Sequence, residues 1–438
     1  MKYPSRILFF ILLIGMFFAF AEEPSAEVLT LPEGLKIVAE KSRIITISRS
    51  DEQIAEADAE SVRSKLLPTI NAFAGWSALA HQPKALFGPL IVPVSDKNFL
   101  AYSISIQQTL FDFRGNAARY DASRTAFAAK RLETQRVRNF AAIEFVLVYL
   151  DLLEQEKMIT VAEKETEALD AHRRNAQSLY DEGVITKNDL LQAEVRISDA
   201  RQRLLTARTT RSLLASRINS ILMRPLRTEV QIHDIEEGQA GVVSSFSVEA
   251  AWELAEKQRA ELQIADETLK ALGFQETARR SDYYPRLFVT GGYDYTENKY
   301  QLHESNWSMT LGLSLNLFSG GETRAELKKI GYQREKLLEQ REKLRDDIRL
   351  EVEQYLLQSL TASERLQVAK DSVRQAEENL RINIVKYEEG IGTGSDVLDA
   401  VSLLTIARTN QYRTLYDLRK SEAAVFYATG RDLLEVYR

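Results

Sequence analysis

Between Trp307 and Leu317 every second residue is apolar: Trp307, Met309, Leu311, Leu313, Leu315 and Leu317 alternate with Ser308, Thr310, Gly312, Ser314 and Asn316. A period of two gives a strand one apolar face and one small, polar face. The same alternation runs through Leu100, Tyr102, Ile104 and Ile106 against Ala101, Ser103, Ser105 and Gln107. It recurs in Leu287, Val289, Gly291, Tyr293 and Tyr295, and more weakly in Ile70, Ala72, Ala74 and Trp76. Four strands are predicted, at about 69–77, 99–110, 286–295 and 307–317, each close to the length of a tilted strand crossing an outer membrane. Alternation alone also describes a half-buried strand of a soluble sandwich. The aromatics separate the two readings. Trp76, Tyr293, Tyr295 and Trp307 gather near the hairpin ends, and Phe111, Phe113, Tyr283, Tyr284 and Phe318 near the opposite ends, as two interfacial girdles would. Four strands cannot close a barrel and open edges are not tolerated in lipid, so protomers must share one barrel; two, three or four copies would supply about eight, twelve or sixteen strands.

Between the strands the period changes. From Phe113 to Tyr180 there is no proline and the only glycine is Gly115, which predicts a helix over 113–180, roughly 100 Å long at 1.5 Å per residue. A second long helix is predicted over 322–387. In it Val352, Tyr355, Ser359, Ala362, Leu366, Ala369, Val373, Ala376, Leu380, Asn383 and Tyr387 step alternately by three and four, the spacing of a supercoiled seam. The matching seam of the first helix runs from Phe145 through Val148, Leu152 and Ala162 to Tyr180. Small residues at many of these positions predict close backbone approach. Each long helix stops at a glycine, Gly183 or Gly390, the residue that ends helices most readily. Returning helices are predicted over 186–222 and 393–428, opened by Thr186 with Asp189 and by Thr393 with Asp396 in capping-box spacing. Two antiparallel helical hairpins result.

The chain therefore reads twice. Tyr180-Asp181-Glu182-Gly183 and Tyr387-Glu388-Glu389-Gly390 lie 207 residues apart, an offset that holds back to Leu110-Phe111 and Leu317-Phe318. Further upstream the offset is 217, pairing Pro68 with Pro285 and Trp76 with Tyr293, so the first copy has a loop ten residues longer. The two prolines stop helices that lead in from Leu31 and Val248. The first repeat spans 22–223 and the second 248–438, with a connector at 224–247 that holds Pro225, Gly238 and Gly241. The fold class expected is mainly α with membrane β.

Composition adds an address. Residues 1–21 carry Lys2 and Arg6, then an apolar run from Ile7 to Phe20, then Ala19-Phe20-Ala21, the small-x-small form of a signal-peptidase site. A membrane anchor is the alternative, but the run is short of the roughly 20 residues a spanning helix needs. There is no cysteine, hence no disulfide and no thiol for N-terminal lipidation. Removing the leader takes the net charge from −6 to −8, which disfavours nucleic acid as a partner. No later stretch is apolar enough for a membrane helix, so contact with a bilayer must be made by strands. His81, His172, His233 and His303 are scattered without metal-ligand spacing, and no nucleophile elbow, phosphate loop or zinc motif occurs. No catalytic, cofactor-binding or metal-binding residue is predicted, and Glu388-Glu389 reads as a solvated helix face.

The duplicated order of helix, proline, strand, loop, strand, Leu-Phe, long helix, Tyr-x-x-Gly-x-x-Thr-x-x-Asp and returning helix resembles the TolC-type outer-membrane efflux protein family, across nearly the whole mature chain and most specifically from Gly390 through Ala400. The resemblance implies a homotrimer whose twelve strands form an open barrel in the Gram-negative outer membrane, and whose twelve helices form a tapering α-barrel through the periplasm. It also implies a passive exit duct that docks onto a periplasmic adaptor, the membrane fusion protein, and an inner-membrane pump of the RND, ABC or MFS class, which sets whether the cargo is a drug, a metal or a protein. Gly183, Val184, Thr186, Gly390, Ile391 and Thr393 are by the same resemblance the residues that adaptors contact. Asp396 and Asp399 share one helix face, and three protomers would gather them at the narrow end of the tunnel, where rings of carboxylates select cations. Asp396 also has a capping duty, whereas Asp399 has none and its repeat mate is Gln192. Family members can carry a basic latch residue two positions after the second glycine; here Gly392 stands there, leaving Lys187 as the alternative cation. A non-conducting, periplasm-spanning coiled-coil scaffold or adhesin is the competing reading, but it has no need of alternating strands.

Overall fold

The computed structural model describes residues 28–234 and 247–437. The predicted leader, 1–21, and residues 235–246 of the connector lie outside them. The first repeat comprises β1 (Val28–Leu29), α1 (Leu31–Lys41), α2 (Arg43–Arg63), β2 (Thr69–Ala78), β3 (Lys84–Phe87), β4 (Leu90–Pro93), β5 (Asn98–Phe111), α3 (Gly115–Asp181) and α4 (Lys187–Ile221). After β6 (Gln231–Ile232) the second repeat follows with α5 (Val248–Gln258), α6 (Ala260–Arg280), β7 (Arg286–Thr296), β8 (Ser305–Ser314), α7 (Glu322–Glu388), α8 (Gly394–Ala428) and α9 (Leu433–Val436).

Each long helix runs 67 residues without a break. The seam of α7 turns inward along its lower half: Val352, Ser359, Ala362, Ala369 and Val373 are buried against α8 while the residues between them are mostly exposed. Alanine and serine there let the two backbones approach, because a bulky seam would hold them apart. The principal core lies where the leading helices cross the middle of the long ones. Leu35 and Val38 of α1, Phe145, Tyr149 and Leu152 of α3, Ile218 of α4, Ile348 and Val352 of α7 and Leu433 of α9 form one buried cluster. Within it the Tyr149 hydroxyl donates to the carbonyls of Leu29 and His233, at 3.0 and 2.7 Å. These bonds sit beside the two-residue parallel pairing of β1 with β6, which ties the start of the first repeat to the connector.

The helix expected from Leu31 onward is two helices, broken at Ser42, and its repeat mate is broken at Arg259. Neither site holds proline or glycine. The break at Arg259 is held by the arginine itself: its guanidinium donates to Glu261 at 3.0 Å, to Glu351 of α7 at 2.9 Å and to the carbonyl of Ala428 at 3.3 Å, and lies over the Tyr427 ring. One buried cation thus fastens α6, α7 and α8 together.

β2, β5, β7 and β8 form one antiparallel sheet in that order, and among the described residues neither β2 nor β8 has a partner on its outer edge. The register puts Trp76, Tyr102, Ile104, Tyr293, Val289, Leu311 and Trp307 on one face and Asn71, Ser103, Ser105, Thr290, Ser308 and Thr310 on the other. The longer loop of the first copy contains a hairpin, β3 with β4, that the alternation did not predict. Its base is tied to the second loop by Asn298, which donates to the Val94 carbonyl at 3.1 Å, and by the Lys299–Asp96 ion pair at 2.8 Å.

Candidate functional site: two helical tips and a two-faced sheet

The tips are built by backbone geometry. Gly183 and Gly390 sit at φ +73° and +75°, in the left-handed region that glycine enters without strain. In that conformation the amides of Val184 and Ile391 reach back to the carbonyls of Leu179 and Lys386, at 2.8 and 2.9 Å, and close each long helix. The turn leaves two apolar side chains projecting at the ends, Val184 at 67% and Ile391 at 73% exposure.

Both returning helices open on a capping box. The Asp189 amide donates to Thr186 Oγ1 at 3.4 Å, and the Thr186 amide donates to Asp189 Oδ2 at 3.1 Å. Thr393 and Asp396 repeat the exchange at 3.2 and 3.0 Å. The Thr393 hydroxyl, which donates to Asp396 Oδ2 at 2.7 Å, and then the Thr393 amide hold the Asp396 carboxyl below the usual carboxylate range. Asp396 and Asp399 are both exposed in the single chain and lie on the first turns of α8. The Asp396 carboxylate is engaged backward by Thr393, whereas Asp399 forms no ion pair or side-chain hydrogen bond among the described residues.

The two tips touch. Leu169 of α3, Ile197 and Ala200 of α4, and Leu398 and Val401 of α8 form a small buried cluster. Next to it His172, which the sequence left without any metal-ligand spacing or role, is 8% exposed with its ring 5.2 Å from that of Tyr387. Burial pushes the His172 imidazole below its ordinary pKa and raises that of the Tyr387 hydroxyl, which the Asp189 charge raises further. The sequence signal was faint: His172 stands one residue before seam position Arg173, on the side of α3 that turns toward α8. Gly392 has a spatial reason. A Cβ there would stand 3.0 Å from the Lys386 Cβ and 3.1 Å from the Tyr387 amide nitrogen, so a latch side chain does not fit without a shift. Lys187, the alternative cation, opens α4 and forms no ion pair among the described residues.

The sheet is the other half of the site. Along β8, Trp307 is 79% and Met309 80% exposed, on a face with nothing against it in the single chain. The aromatic ends pack among themselves: Tyr293 against Trp307 at 5.0 Å and Tyr102 on Tyr295 at 4.6 Å at one end, Phe113 on Tyr284 at 4.6 Å at the other. No described helix is long and apolar enough to cross a membrane, and no described cluster of acidic, histidine or cysteine side chains could hold a metal ion.

Comparison with known proteins agrees with this geometry. A sequence profile described as "Outer membrane efflux protein" matches residues 38–222 and 251–431, once per repeat. The alkaline protease secretion protein AprF of Pseudomonas aeruginosa is 24% identical over 348 residues, covering 76% of this chain and 70% of its own. Among solved structures, the outer membrane protein VceC of Vibrio cholerae superposes with a TM-score of 0.79 at 15% identity, over 92% of this chain and 96% of that one. The CmeC outer membrane channel of Campylobacter jejuni gives 0.79 at 15% identity, over 91% and 85%. At these identities the structural likeness establishes the fold.

Proposed function

The chain belongs to the outer membrane efflux protein family, whose place is the Gram-negative outer membrane, and from that premise we propose that three copies form a passive exit duct of a tripartite efflux or type I secretion system. The observation that carries the reading is the sheet: four strands, both outer edges unpaired, one face apolar and the other small and polar. Pairing β8 of one copy with β2 of the next satisfies both edges, turns the apolar faces toward lipid and the polar faces toward a lumen. Unpartnered apolar side chains on the hairpin helices, among them Leu350, Leu357 and Val368 of α7 and Leu205 and Leu213 of α4, supply the surfaces that neighbouring protomers would cover. Twelve strands then continue into twelve helices around a periplasmic tunnel. A periplasmic adaptor docks at the tips, on the exposed Val184 and Ile391 and on Gly183, Thr186, Gly390 and Thr393, and links the duct to an inner-membrane pump. AprF is by its name a protease secretion protein, which supports a polypeptide among the cargoes.

The narrow end carries the gate. Three copies of Asp396 and Asp399 would set six carboxylates around it, a ring that attracts cations. Asp396→Asn with Asp399→Asn is expected to lower cation over anion selectivity severalfold in planar-bilayer recordings and to weaken block by multivalent cations. The Thr393 hydroxyl still accepts from the backbone amide of residue 396 in this variant, so the assembly is expected to stay folded. Wild-type selectivity and block in the double variant would reduce both residues to surface helix positions. A wild-type protein with no conductance at all would point to the scaffold reading.

A further inference from the structure

The polar face of the sheet is small or polar at every paired position except three: Phe73 on β2, Phe99 on β5 and Phe288 on β7. Two of these rings are seated in the same way. The Phe288 ring lies across its cross-strand partner Gly312, where any Cβ would overlap it, and the Phe73 ring folds back along β2 over Gly75, where a Cβ would stand 2.8 Å from Cζ. Each phenyl therefore lies against backbone with one face covered and the other open, and Phe73 is 65% exposed. Covering glycine with an aromatic ring stabilises sheets, and that accounts for the covered face. It does not account for placing the rings on the polar side, where the open face meets water at a free-energy cost, when the apolar side offers lipid.

We propose that Phe73 and Phe288 are contact sites for cargo inside the barrel, receiving the aromatic and aliphatic groups of amphipathic substrates; the inference rests on the polar face being the lumen of the shared barrel. The register separates the rings into two levels. Phe73 lies in the row of Ser103, Asp294 and Asn306, and Phe288 in the row of Thr109 and Gly312. Six residues along β7 separate the rows, roughly 20 Å along the strand and about 15 Å along a barrel axis at a tilt near 40°. Three protomers would give two tiers of three rings. Asp294 shares the Phe73 row two strands away, about 10 Å, so a cation carrying aromatic groups finds a carboxylate and a ring at one level. Flat rings backed by glycine leave the passage wide while presenting π faces, an arrangement that allows brief contact without tight binding.

The test uses the assembled protein in planar bilayers, with tetraphenylphosphonium and tetraethylammonium as probes of equal charge. Phe73→Ser with Phe288→Ser is expected to weaken current block by tetraphenylphosphonium about tenfold, the equivalent of about 1.4 kcal/mol, with block by tetraethylammonium and the potassium conductance unchanged. Phe73→Leu with Phe288→Leu keeps the glycines covered and the sheet stable, and is expected to show an intermediate loss. Normal potassium conductance with unaltered tetraphenylphosphonium block in either variant overturns this inference and leaves the duct intact. Absence of potassium conductance in the unmodified protein overturns the duct itself, and this inference with it.

Discussion

Gly390→Leu is expected to leave the protein folded and assembled while abolishing export. Nothing lies within 4 Å of a Cβ built at Gly390, so the leucine is not excluded by space. It is excluded by conformation: at φ +75° an L-residue pays about 1–2 kcal/mol. The chain escapes that strain by re-forming the turn, which displaces Ile391 and pulls Thr393 out of its exchange with Asp396. The damage stays local, because the main core lies at Val352 of α7, 38 residues and roughly 57 Å of helix away. Site-specific cross-linking from the tip to the adaptor, run beside an export assay, checks it. Unchanged export with a folded protein would remove the tips from the docking surface.

Arg259→Met is expected to destabilise the fold by about 3 kcal/mol. The side chain is buried to 9% exposure and answers two carboxylates, a carbonyl and an aromatic face on three helices. Methionine fills most of the volume but removes the cation that bridges Glu261 and Glu351. Those carboxylates are 19% and 30% exposed, so water recovers part of the loss and keeps the cost at the lower end of the roughly 3–5 kcal/mol seen for broken buried pairs. A fall in the thermal midpoint, with partial recovery on adding Glu351→Gln, is the expected readout. An unchanged midpoint would mean that the Arg259 contacts do not hold the α5–α6 break together.

What the sequence made legible follows from how local each signal is. The capping boxes at Thr186 and Thr393 are readable because donor and acceptor lie within three residues, and the tip glycines because a single φ value selects them. The strand alternation was visible because the register sends every second side chain to one apolar face and the rest to a small, polar one. Its end was not: Leu315 and Leu317 continue the pattern, yet β8 stops at Ser314, because β7 begins at Arg286, its partner there, and a ladder cannot outlast its neighbour. The hairpin of β3 and β4 hid for the opposite reason. Leu86, Phe87, Leu90 and Ile91 are apolar on both faces, so they carry no period at all. The break at Ser42 depends on α1 settling against Phe145, a contact over a hundred residues distant, and His172 is buried by α7 and α8 rather than by anything on its own helix. Those are tertiary facts, and no window of local sequence contains them.

A duct built from this chain requires one barrel shared among several copies. Native mass measurement of the detergent-solubilised protein, with circular dichroism confirming folded strands, tests it. Three chains per particle is the predicted result; a single chain with its strands folded would contradict the shared barrel and with it the duct.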